Sequence, residues 1–99
     1  MTLGDLVLKV RSKNAGPFWV TIDIFCDKPD VFDRLSAQVQ TDDVARLYGV
    51  SPDGLKRFDI PDLRVIKFSL PRPVVQGSVH DRDMHVAQYA ALLEELALD

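Results

Sequence analysis

The stretch Phe18-Trp19-Val20-Thr21-Ile22-Asp23-Ile24-Phe25-Cys26 decides the fold. Phe18, Val20, Ile22, Ile24 and Cys26 lie on one side of a period-two pattern, and Trp19, Thr21, Asp23 and Phe25 on the other, which marks a strand with one face buried. A strand needs partners, and its neighbours in sequence supply them. Upstream, Leu6, Leu8 and Val10 alternate with Val7, Lys9 and Arg11, predicting a first strand from Asp5 to about Ser12. Between the two, Ser12-Lys13-Asn14-Ala15-Gly16-Pro17 is rich in residues that tolerate or fix unusual backbone angles, so an antiparallel pair is expected.

Downstream, Asp27 is placed to cap a helix with Pro29 and Asp30 in its first turn, where a missing N–H costs little and negative charge meets the positive helix end. Val31, Phe32, Leu35 and Val39 mark its apolar face. A second short helix opens at Thr41, buries Val44, Leu47 and Tyr48, and stops at Gly49. After the turn Ser51-Pro52-Asp53-Gly54, Phe58 and Ile60 alternate with Arg57 and Asp59, and Ile66, Phe68 and Leu70 alternate with Val65, Lys67 and Ser69. These are two strands joined at Pro61-Asp62, the second ended by Pro71-Arg72-Pro73. Residues 74–83 form a polar loop, long enough to point to a function or a partner. Residues 84–98 read as helix, although the last of them are apolar on several sides and could instead form an edge strand.

The order strand, strand, helix, strand, strand, helix predicts an α+β domain over residues 1–99: a ferredoxin-like sandwich, with helices on one face of an antiparallel sheet. Val20, Ile22, Ile24, Ile66, Phe68 and Leu70 are its expected core, packed against Leu35, Leu47 and Leu93.

Composition narrows the function. At 46% hydrophobic and 27% charged residues the chain has neither the signature of disorder nor that of a charged tail. A formal charge of −3 argues against a general polyanion binder, so nucleic acid and anionic membranes are not expected partners. Cys26 is the one cysteine, which excludes an intrachain disulfide and a cysteine-based zinc site; on the apolar side of its strand it reads as a small core hydrophobe. Asp5, Lys9, Arg11 and Lys13 leave no apolar signal-peptide core near the start, and a cytoplasmic location is expected.

Arg11, Ser12, Lys13, Asn14 and Gly16 gather two cations, a hydroxyl, an amide and a permissive glycine, an inventory suited to a carboxylate or phosphate. An ordinary polar hairpin turn has the same composition for conformational reasons. Lys9, Arg11 and Lys13 project to one side if the strand pattern holds to its end, and Arg72, fixed between two prolines, presents a second guanidinium. Trp19 and Phe25, opposite the aliphatic side of their strand, are expected at an interface with a partner or a second copy. His80, Asp81, Asp83 and His85 are all legitimate metal ligands, but their spacing matches no metal motif. The two aspartates are more simply cap residues of the last helix, so neither metal nor cofactor is expected.

The stretch Leu3-Gly4-Asp5-Leu6 followed by Arg11-Ser12-Lys13-Asn14-Ala15-Gly16-Pro17-Phe18, the run Ala45-Arg46-Leu47-Tyr48-Gly49-Val50, and Pro71-Arg72-Pro73-Val74 with Gly77-Ser78 resemble a small bacterial domain-of-unknown-function family. Its members are typically encoded beside, or fused to, proteins of the AtuA type, named for acyclic terpene utilisation. Asp5-Leu6 with Arg11-Ser12, and Arg57-Phe58-Asp59-Ile60-Pro61-Asp62-Leu63 through Phe68, is also similar to the C-terminal ferredoxin-fold domain of AtuA-like proteins. There the Arg-Ser pair opens a Gly-Asp-Lys-Gly loop; here Lys13-Asn14-Ala15-Gly16 stands instead, so no role of that acidic residue carries over.

The resemblance implies an accessory subunit working with a larger AtuA-like protein in catabolism of organic acids or their thioesters, lending an anion-binding loop to a shared site. A carboxylate or acyl-thioester is then the expected ligand. Two rivals stand beside it. One is a stand-alone small enzyme of lyase or hydratase type, with His80 or His85 as acid/base and Arg11 or Lys13 holding a carboxylate. The other is a purely structural interaction module in which the loop is only a turn.

Overall fold

The structure, a computed structural model, describes residues 1–16, 19–71 and 90–98. Its frame is two antiparallel hairpins side by side. β1 (Lys9–Asn14) pairs with β2 (Trp19–Phe25), β3 (Lys56–Ile60) pairs with β4 (Val65–Pro71), and β2 pairs with β4 to give the order β1-β2-β4-β3. The alternation in β2 is borne out: Val20, Ile22, Ile24 and, just past its end, Cys26 are all at most 1% exposed. Across the sheet they meet Leu70, Phe68 and Ile66 of β4, all fully buried.

Over this inner face lie α2 (Pro29–Gln38) and α3 (Thr41–Tyr48), contributing Phe32, Leu35, Val44, Ala45 and Tyr48 to one core. Pro29 opens α2, as expected, but Lys28 rather than Asp27 holds the N-cap position, because Asp27 has a left-handed backbone (φ 72°) and reverses the chain after β2. Gly49 ends α3 at φ 68°, its N–H donating to Arg46 O. Leu47 is half-buried, while Leu93 is fully buried.

Two expectations need correction. The first strand does not begin at Asp5: α1 (Leu3–Leu6) takes its place and β1 starts at Lys9. Thr2 N donates to Asp5 Oδ2 at 3.0 Å, a capping contact that favours a helical turn over the three-residue alternation, and Leu8 is left 64% exposed. Second, the segment from Arg11 to Asn14 is strand, not loop; the turn proper begins at Ala15, whose N–H donates to Trp19 O. The described residues form an α+β fold, an antiparallel sheet with α2 and α3 over one face, in the order α1, β1, β2, α2, α3, β3, β4 and a last helical stretch over 90–94; the β-α-β-β-α-β order of a ferredoxin-like sandwich is not confirmed by it.

Of the helix expected over residues 84–98, residues 84–89 lie outside the described residues, as does the loop expected over 74–83. Residues 90–94 are helical, and Ala97 then bridges antiparallel to Thr2. Leu3 N to Leu96 O (2.8 Å) and Leu98 N to Met1 O (2.9 Å) fasten the two ends together and carry Leu3 and Leu93 into the core.

Candidate functional site

Because side chains alternate along a strand, β1 splits the expected anion-binding inventory between two faces. Lys9, Arg11 and Lys13 point away from the helices; Ser12 and Asn14 point to the helix side. Gly16 has φ 83° and serves the turn. Arg72, and the cluster His80, Asp81, Asp83 and His85, lie outside the described residues. Among the described residues no three His, Cys, Asp or Glu side chains gather as a metal group would require.

The cross-strand register shows what Arg11 and Lys13 do meet. One rung of the outer face reads Arg11, Asp23, Lys67, Phe58 from edge to edge. The next reads Lys13, Thr21, Ser69, Lys56, and the one on the other side Lys9, Phe25, Val65, Ile60. Trp19, opposite Pro71, closes the face at one end. Four of the five lysines in the sequence therefore stand on this face with Arg11, against a single acid among the described strand residues, Asp23. The remaining lysine, Lys28, precedes α2.

The aromatics are tied into this charge. Lys9 Nζ lies 5.0 Å from the centroid of the Phe25 ring, and Lys56 Nζ lies 5.7 Å from that of Trp19. Trp19 is 37% and Phe58 49% exposed. Val65 is buried yet does not belong to the core cluster, which places a small apolar patch with Phe25 and Ile60 on the far side of the sheet from the helices.

Two polar atoms at the centre of the face lack what burial normally requires. Thr21 Oγ1 and Asp23 Oδ1 are shut off from solvent without a hydrogen-bond partner, although most buried polar atoms have one. Asp23 stands in register between Arg11 and Lys67, and among the described residues no ion pair joins it to either.

At the β1 edge a cleft of about 320 Å³ is lined by Val10, Arg11 and Ser12 together with Ala90, Ala91 and Glu94. Its volume is at the lower end of small-ligand sites. Arg11 thus borders both the cleft and the cationic face.

A further cation, which sequence reading did not single out, is structural. Arg57 and Asp59 face the helices, while their apolar neighbours Phe58 and Ile60 face outward. Arg57 Nε donates to Asp59 Oδ1 at 2.8 Å, and Nη2 donates to Asp59 Oδ2 and, at 3.0 Å, to Ser36 O. Nη1 donates to Val39 O and Thr41 Oγ1. Its fork is spent on the carbonyls at the C-terminal end of α2, where a cation is favoured, leaving no donor for a ligand. Cys26 is equally unavailable: burial, helped by the charge of Asp59, pushes its thiol up to about 11, so it is neutral at physiological pH.

Lys67 and Lys56 also escaped selection as site residues. Only the sheet register puts them on the same face as Arg11, although the polar side of the Val65–Leu70 alternation already held Lys67 and Ser69.

Fold and site together define a small α+β domain whose outer sheet face is cationic and aromatic and whose helix side forms the core. The chain belongs to a family described as a domain of unknown function (DUF4387), whose profile matches residues 3–97. Neither the curated proteins nor the solved structures contain a significant match. No described helix is long and apolar enough to cross a membrane.

Proposed function

We propose that this chain is an accessory subunit of a larger AtuA-like protein, lending Arg11 to a shared carboxylate site in catabolism of organic acids or their thioesters. The observation that supports it is the position of Arg11, at the edge of the sheet, on the lip of the 320 Å³ cleft and at the head of a cationic rung. A guanidinium there can present two parallel N–H groups to a carboxylate, and a second protein would complete the cleft walled by β1 and residues 90–94. Lys13, on the same face one rung away, adds positive potential without reaching into the cleft wall. A reducing cytoplasm suits a chain whose one cysteine is a buried, neutral thiol.

Co-expression with the AtuA-like protein tests the reading. The two should purify as one complex and bind a small carboxylate or acyl-thioester from a panel. Arg11→Ala should weaken that binding about tenfold or more, since a charge-assisted contact is worth roughly 1.5 to 3 kcal/mol. Arg11→Lys should recover little, because an ammonium cannot form the paired fork. Turnover of the panel by the isolated chain would instead favour a self-sufficient enzyme.

A further inference from the structure

We infer that the outer face of the sheet docks an acidic protein surface that places a hydrogen-bond donor over Asp23 and Thr21. The inference deepens the accessory-subunit reading and rests on its claim that a partner exists; it adds where the partner sits and what chemistry it presents.

Two independent observations carry it. The first is charge. Among the described residues, Lys9, Arg11, Lys13, Lys56 and Lys67 share this face with one acid, while α2 and α3 carry Asp30, Asp33, Asp42 and Asp43 against Arg34 and Arg46. In a chain of net charge −3, such segregation leaves the sheet face complementary to carboxylates. The second is the unpartnered pair at the centre. Thr21 is only 9% exposed and Asp23 Oδ1 is closed to water, so both acceptors await a donor that the described residues do not supply. A carboxylate oxygen cannot donate; an arginine, lysine or backbone N–H of a partner can.

The same details weigh against other occupants. A single-stranded nucleic acid stacks its bases on open aromatic faces, yet lysine ammonium groups already lie over Phe25 and Trp19, and Asp23 would repel phosphate. A second copy could offer its acidic helices, but a sheet-to-helix contact is heterologous and does not close with two chains. A protein surface with carboxylates at the rim and a donor at the centre matches every rung, with Phe58 and Trp19 as exposed aromatic anchors.

The test is lysine acetylation in the complex with the larger protein, read by mass spectrometry. Lys28, exposed at the N-cap of α2 and outside the sheet, is the internal control. Lys9, Lys13, Lys56 and Lys67 should react more slowly in the complex than in the free chain while Lys28 is unchanged. Lys67→Glu and, at an exposed position where folding is less at risk, Lys13→Glu should each weaken the complex about tenfold or more, because they set like charges face to face. Unchanged reactivity at the four lysines, or slowing confined to Lys28, overturns the inference and leaves the subunit reading standing.

If no complex forms, the subunit reading falls and the face is judged alone. Trp19, the single tryptophan, then reports on binding of poly-L-glutamate, oligo(dT) or phosphatidylserine vesicles. An emission shift with poly-L-glutamate that Lys67→Glu abolishes upholds the acidic-protein surface. Absence of that shift, tighter binding of oligo(dT) or vesicles, or self-association in ultracentrifugation refutes it.

Discussion

Arg57 is the residue that joins the two layers, and its removal strands several groups at once. The guanidinium, 16% exposed, neutralises Asp59 and satisfies Ser36 O and Val39 O where α2 runs out of intrahelical donors. Arg57→Met should therefore cost about 3 kcal/mol in urea unfolding, as breaking a largely buried pair does. Adding Asp59→Leu should return part of that loss, since the stranded carboxylate goes too; a fully additive double variant would contradict the coupling. Alternation marked two faces of β3, but not which one turns inward. The apolar residues went outward because the carbonyls of α2 needed donors, a demand visible only once the helix end and the strand are juxtaposed. Cys26 makes a second prediction at this scale. Its thiol ionises near the ordinary value of 9.0 when unfolded but only at about 11 when folded, so its contribution to stability is complete below pH 9 and is lost as pH rises toward 11. Cys26→Ala should flatten the fall in stability over that interval, measured by urea titration at stepped pH. Asp5 acts oppositely: its hydrogen bonds to Thr2 hold its carboxyl below the usual range, so the N-terminal cap is intact above the ordinary carboxylate pKa and loosens as acid protonates it.

Among the elements, β2 was legible because its pattern is long and both of its faces are distinct. The short pattern at Leu6, Leu8 and Val10 misled, because a capping contact between Thr2 and Asp5 competes with it and the end of the chain takes Leu3 into the core. The two helices were legible from Pro29 and Gly49, which act through backbone geometry alone. Gly49→Ala should cost about 1 kcal/mol, since φ 68° strains any residue with a Cβ, and thermal unfolding reads that directly. Leu35→Ala, deleting a side chain with no exposure at the base of α2, should cost roughly 2 to 5 kcal/mol. The candidate site was legible only in half. Lys9, Arg11 and Lys13 share a side by alternation within one strand, whereas Lys56 and Lys67 join them through the register between strands, which the chain's local pattern does not encode.

For the whole molecule, net charge was the least informative quantity, because it averages a cationic sheet face with acidic helices. Association should accordingly weaken with salt, and most steeply if the sheet face is the contact. The larger protein is expected to dock on this face and not on the outer surface of α2 and α3. The measurement that tests it most directly is the dissociation constant of the complex with the larger protein for three charge reversals compared with the unaltered chain: Lys13→Glu and Lys67→Glu on the sheet face, and Lys28→Glu beside α2. A loss of about tenfold or more is expected for each of the first two and no change for the third. Equal constants for all three, or a loss confined to Lys28→Glu, would contradict it.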